Sequence, residues 1–98
     1  MTINKSLNGS ELFISLEGRL DTTTAPELEK ELKESLENVT SLVFDFEKLE
    51  YISSAGLRVL LSAQKTMNKQ GSMKITKVDE TIMEIFDVTG FTDILTIE

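Results

Sequence analysis

Leu42, Val43, Phe44 and Phe46 form an almost unbroken apolar run within residues 41–46. Such a run fits a strand at the centre of a sheet or one covered on both faces. Helical patterns flank it. Upstream, Leu28, Leu32 and Leu36 recur every four residues behind Ala25, and this stripe predicts a helix over 24–38. Thr24 and Glu27 have capping-box spacing, with Pro26 in the first turn. The outer face pairs Glu29 with Lys33 and Lys30 with Glu34, as expected of a solvated surface. Downstream, Leu57, Val59, Leu60, Leu61, Ala63 and Met67 predict a deeply buried helix over 55–70, with Gly71 as a left-handed cap.

The remaining segments complete an α/β pattern. Residues 2–7 and 12–16 alternate around the turn-forming Asn8, Gly9 and Ser10 and read as a hairpin, with Gly18 ending its second strand. Residues 73–76 form a short strand. Asp79 caps a third helix carrying Ile82, Ile85 and Phe86, Gly90 ends it, and residues 93–97 form a terminal strand. The order is ββαβαβαβ. It predicts one domain over residues 1–98, with a mixed sheet of about five strands and helices packed against it.

Charge and composition narrow the function. Seventeen acids against ten bases give a net charge of −7. That disfavours nucleic acid and anionic membrane surfaces as partners and favours a protein with a basic patch. Cysteine and histidine are both absent, so disulfides and thiolate or imidazole metal sites are excluded. No nucleophile–base pair and no phosphate-cradling glycine loop occurs, so the expectation is a binding protein rather than an enzyme, with no cofactor. Residues 1–10 have no apolar run, so no signal peptide and no membrane insertion are expected, and the expected compartment is the cytoplasm.

The distinctive segment is YISSAGLRVLL, residues 51–61: a strand-like approach, two serines, an alanine, a glycine and then a buried helix. Ser53 or Ser54 can serve as the N-cap, and Gly56 leaves room for close approach to the backbone. On its own the segment reads as a capping turn. The same atoms also offer a hydroxyl where free amide groups and the helix dipole welcome a phosphate.

This segment resembles the signature of the STAS family, the sulfate-transporter and anti-sigma-factor-antagonist domains, and within it the free-standing bacterial antagonists. Residues 17–28 (EGRLDTTTAPEL), 41–57 (SLVFDFEKLEYISSAGL) and 85–95 (IFDVTGFTDIL) carry the likeness along almost the whole chain. The resemblance implies a phosphoacceptor two residues before Gly56, at Ser54. Ser53, where aspartate is commonest, is the second choice. It implies a partner-binding surface of Asp21, Thr22, Ser53, Ser54, Gly56 and Arg58. Asp21 reads equally as an Asx turn before Thr24; Arg58 reads first as an ordinary surface base, and Asp45 chiefly as part of a loop. The implied partners are an anti-sigma factor that is a serine kinase, and a serine phosphatase. The unmodified chain binds the anti-sigma factor and frees the sigma factor; phosphorylation switches binding off. The alternatives are an unphosphorylated interaction subunit of a transport or signalling assembly, and a weak nucleotide binder.

Overall fold

The N-terminal segments pair as an antiparallel hairpin, β1 (Thr2–Asn8) with β2 (Glu11–Leu20), turned at Gly9, whose φ of 66° is left-handed. The computed structural model describes residues 1–98. After the hairpin come α1 (Ala25–Ser35), β3 (Ser41–Ile52), α2 (Ser54–Gln70), β4 (Ser72–Thr76) and α3 (Glu80–Thr89). The sheet order is β1-β2-β3-β4, with β3 parallel to both neighbours. The apolar run thus lies in an interior strand.

Twenty-four residues share one core. The strands contribute Leu12, Ile14, Leu16, Leu42, Phe44, Phe46, Met73 and Ile75. The expected α1 stripe of Ala25, Leu28, Leu32 and Leu36 packs there, with Leu57, Leu60 and Met67 of α2 and Ile82 and Phe86 of α3. Phe91, just past α3, is half-buried against the same core. Of the two ion pairs expected on α1, Glu29–Lys33 forms at 3.6 Å.

Several expectations need correction. The sheet has four strands rather than about five. The predicted terminal strand begins instead with a 3-10 turn, Phe91–Asp93, in which the Phe91 carbonyl accepts from the amides of Ile94 and Leu95. Only a single bridge, Ile75 to Ile97, remains alongside β4. β2 continues through Gly18 to Leu20, because register shifts near Ser15–Glu17 and Gly18–Arg19 absorb the glycine. β3 likewise continues to Ile52, with Leu49 and Ile52 buried between exposed Glu47, Lys48 and Glu50.

Helix α1 stops three residues early. Asn38 is left-handed at φ 66°, and Nε2 of Gln70 donates to the carbonyls of Leu36 (2.7 Å) and Val39 (2.6 Å). Gly71 is extended at φ 171° rather than left-handed. It is glycine because a β-carbon there would lie 1.9 Å from the Thr40 carbonyl oxygen. The expected caps on α3 are present: Oδ1 of Asp79 accepts from the Ile82 amide at 2.9 Å, and Gly90 is left-handed.

Candidate functional site

Parallel pairing of β2 and β3 brings their C-terminal ends to the same edge of the sheet. Arg19 lies opposite Tyr51, and Leu20 opposite Ile52. The two turns that leave these strands, residues 21–24 and 53–54, are tied together where the Ser53 amide donates to the Leu20 carbonyl at 2.9 Å. The site residues named from the sequence therefore meet in space, although about thirty positions separate the two groups. Chain segments at the C-terminal ends of parallel strands are the usual place for function in α/β folds.

Asp21 builds the first turn. Its Oδ1 accepts from the Thr23 amide (3.0 Å), the Thr23 hydroxyl (2.8 Å) and the Thr24 amide (3.2 Å). Its carbonyl accepts from the amides of Thr24 and Ala25, which starts α1. The Thr23 hydroxyl is the main reason that the Asp21 carboxyl is held below its ordinary pKa. Desolvation opposes this, while the amides of Thr23 and Thr24 reinforce it. Asp21 therefore makes the Asx turn.

The Thr24–Glu27 capping box is not formed. The Thr24 hydroxyl donates to the Arg19 carbonyl at 2.8 Å and accepts from the Asp21 amide at 2.8 Å, so it ties the turn back to β2. Asp21 has taken the capping work. The Arg19 guanidinium lies 4.3 Å from the centre of the Tyr51 ring, with its Nε 3.8 Å from Oδ2 of Asp21. Sequence reasoning did not single out Arg19 or Tyr51; only the register of β2 against β3 brings them together. Asp45 is structural, its Oδ1 accepting from the Glu47 amide at 2.9 Å.

The second turn divides its two serines. Ser53 is the N-cap residue by backbone, extended and with its carbonyl accepting from the Leu57 amide. Its hydroxyl does not cap: the oxygen is buried and has no hydrogen-bond partner. The Ser53 amide is fixed to Leu20, and the side chain makes no hydrogen bond to the helix amides. Ser54 is the first residue of α2 and is exposed.

Gly56 corrects another expectation. It is buried, and a β-carbon there would meet Leu20 Cγ at 2.7 Å, Ile52 Cγ1 at 2.9 Å and the Leu20 carbonyl oxygen at 3.0 Å. The surface that approaches this backbone is the end of β2, so Gly56 is not open to a partner. Its role is to seat α2 against the strands and so fix where Ser54 sits.

One turn after Ser54, Arg58 is exposed and makes no ion pair. It borders an open cleft of about 210 Å³ between the starts of α1 and α2, with Thr22, Pro26 and Glu29 on the α1 side. A second groove, of about 240 Å³, continues along the same seam over Leu32, Leu36 and Ala63. No three acidic, histidine or cysteine side chains gather as metal ligands, and no helix is long and apolar enough to cross a membrane.

Chemically, the site offers one exposed hydroxyl at a helix start, one free guanidinium and a rigid floor. No histidine exists in the chain to act as a base for Ser54.

The profile of the STAS domain matches residues 2–98. The anti-sigma-B factor antagonist of Bacillus subtilis strain 168 is 31% identical over 100 residues, spanning 99% of this chain and 92% of that protein. Its counterpart in Staphylococcus aureus strain NCTC 8325 is 28% identical over 99 residues, spanning 97% and 92%. Among solved structures, an anti-sigma factor antagonist from Mycobacterium paratuberculosis superposes with a TM-score of 0.88 at 21% identity, over 98% of this chain and 83% of that one. The Bacillus cell fate determinant SpoIIAA in its phosphorylated form gives 0.77 at 17% identity, over 99% and 91%. At these identities the structures speak for the shared fold.

Proposed function

The chain belongs to the STAS domain family, and from that membership we propose that it is an anti-sigma-factor antagonist switched by phosphorylation of Ser54. Residues 1–98 act as one cytoplasmic domain that binds an anti-sigma factor and thereby frees a sigma factor. The near full-length likeness to an anti-sigma-B factor antagonist supports the role. The observation that carries the switch is the contrast between neighbours: Ser54 is exposed at the first position of α2, while Ser53 hides its hydroxyl.

In this cycle the chain is ligand and substrate, not catalyst. The anti-sigma factor is also a serine kinase. The Ser54 hydroxyl oxygen attacks the γ-phosphorus of ATP, an O–P bond forms, the β–γ bridge breaks, and the serine proton passes to a base that the kinase supplies. A phosphatase resets the serine by hydrolysis. Thr22 and Arg58, which line the cleft between the starts of α1 and α2, complete the partner surface, and Asp21 and Ser53 shape it from beneath.

Magnitudes place the effect at the interface. A phosphate near a helix start gains about 0.3–1 kcal/mol from the dipole, too little to remodel a domain. It adds about −1.5 to −2 charges at pH 7. Where a carboxylate of the partner, within its otherwise basic surface, faces position 54 at about 4 Å, the like charge costs roughly 4 kcal/mol at an effective dielectric of about 20. That corresponds to about a thousandfold in affinity.

The test is incubation of the protein with its cognate kinase and ATP, followed by mass spectrometry. Phosphoserine at 54, abolished in Ser54→Ala, is the expected result. Modification at Ser53 moves the acceptor, and two bare serines refute the switch.

A further inference from the structure

Ser54 and Arg58 stand four residues apart on the exposed side of α2. Helical side chains lean toward the helix N-terminus, so a long side chain covers the turn before its own. At this spacing a side chain as long as that of Arg58 can reach back to Ser54. An anion placed N-terminal to a cation at this spacing is the favourable order for a helical pair.

Arg58 is also uncommitted. Of the two arginines in the chain, Arg19 is engaged with Tyr51 and Asp21, while Arg58 pairs with no carboxylate. Glu29 is the acid across the cleft from it, and Asp21 in the adjoining turn is already occupied by Thr23 and Thr24.

Building on the phosphorylation reading above, we infer that Arg58 is the intramolecular partner of a phosphate on Ser54. The modification then acts twice at the surface. It adds negative charge at 54, and it withdraws from the partner the one guanidinium that the site offers it. Arginine suits this role, because its planar fork holds two phosphate oxygens at once. Arg58 is thus a positioning residue for the modified state, holding the phosphoryl group along the helix rather than letting it sweep the interface.

The test needs no kinase. Phosphoserine is installed at position 54 of the full chain during synthesis, and its second ionisation is followed by phosphorus NMR at low salt. An unperturbed phosphoserine titrates near pH 6, and a paired cation favours the dianion. The expected result is a midpoint lower by about half a pH unit in the parent than in Arg58→Gln, the size of a good exposed ion pair. The gap should close in about 1 M salt, where screening acts within about 3 Å. Lys65→Gln, at an exposed and unpaired base farther along α2, should leave the midpoint in place. Equal midpoints in the parent and Arg58→Gln overturn the inference. A kinase that never modifies Ser54 would refute the proposed switch and leave this titration unaffected, so the two failures are distinguishable.

Discussion

Gly56 lies against Leu20 so closely that a β-carbon at position 56 would sit 2.7 Å from Leu20 Cγ and 3.0 Å from the Leu20 carbonyl oxygen. That oxygen already accepts the Ser53 amide, so the backbone there is not free to retreat. The contact seats the first turn of α2 on the ends of β2 and β3, and it holds Ser54 in a fixed, outward position.

Gly56→Ala should therefore be destabilising. Overpacking of a tight contact costs about 1–3 kcal/mol. At roughly 4–8 °C per kcal/mol for a domain of this size, the melting temperature should fall by about 10 °C. Differential scanning calorimetry checks this, and an unchanged melting temperature would show that the close approach is not a constraint.

Ser53→Ala should cost little. An N-cap serine whose oxygen accepts an amide loses about 1 kcal/mol on change to alanine. Here the hydroxyl is buried without a partner, so its removal should leave stability within about 0.5 kcal/mol of the parent or raise it. Urea denaturation decides the matter; a loss of a full kilocalorie would mean that the hydroxyl caps α2 after all.

Gly71→Ala should be more damaging than Gly56→Ala. The φ at Gly71 is extended, so the obstacle is space rather than handedness. The new carbon would fall 1.9 Å from the Thr40 carbonyl oxygen, itself bonded by the Ser72 amide at 2.9 Å. The two variants compared in one denaturation series should rank in that order, and a Gly71→Ala midpoint equal to the parent would contradict it.

The Asp21 turn gives a pH signature. The folded-state pKa of Asp21 is depressed, chiefly by the Thr23 hydroxyl, so its contribution is fully present above the unfolded value near 3.8. It is lost as pH falls through the lower folded value. In Asp21→Asn, stability below pH 4 should decline less steeply than in the parent, while at pH 7 the variant should be the less stable of the two. Parallel curves across this range would remove Asp21 from the acid response.

Much of this was legible in advance, for physical reasons. The stripe of Leu28, Leu32 and Leu36 and the run through Phe44 and Phe46 reflect burial, and burial leaves a periodic mark. Asp79 and Gly90 were legible because their caps are local. The Thr24 capping box failed because a competing acceptor, Asp21, stands three residues earlier, and spacing alone does not rank the two. Gly18 is not the strand end that its local sequence suggests, and Gly71 is not the left-handed cap. In each case the glycine answers to a neighbouring strand or loop distant in sequence. The same limit hid the meeting of Arg19 with Tyr51, which depends on strand register. Ser54 is legible through the family signature, whereas the burial of the neighbouring Ser53 hydroxyl is visible only in three dimensions.

The proposed switch requires that a dianion at Ser54 repel a partner while the scaffold stays as it is. Its most direct test is calorimetric titration of the cognate anti-sigma factor with unmodified protein and with protein carrying phosphoserine at 54, alongside amide NMR spectra of both forms. The expected result is a fall in affinity of about a thousandfold, with amide shifts confined to the neighbourhood of Ser54. Equal affinity for the two forms, or shifts spread across the core, would contradict it.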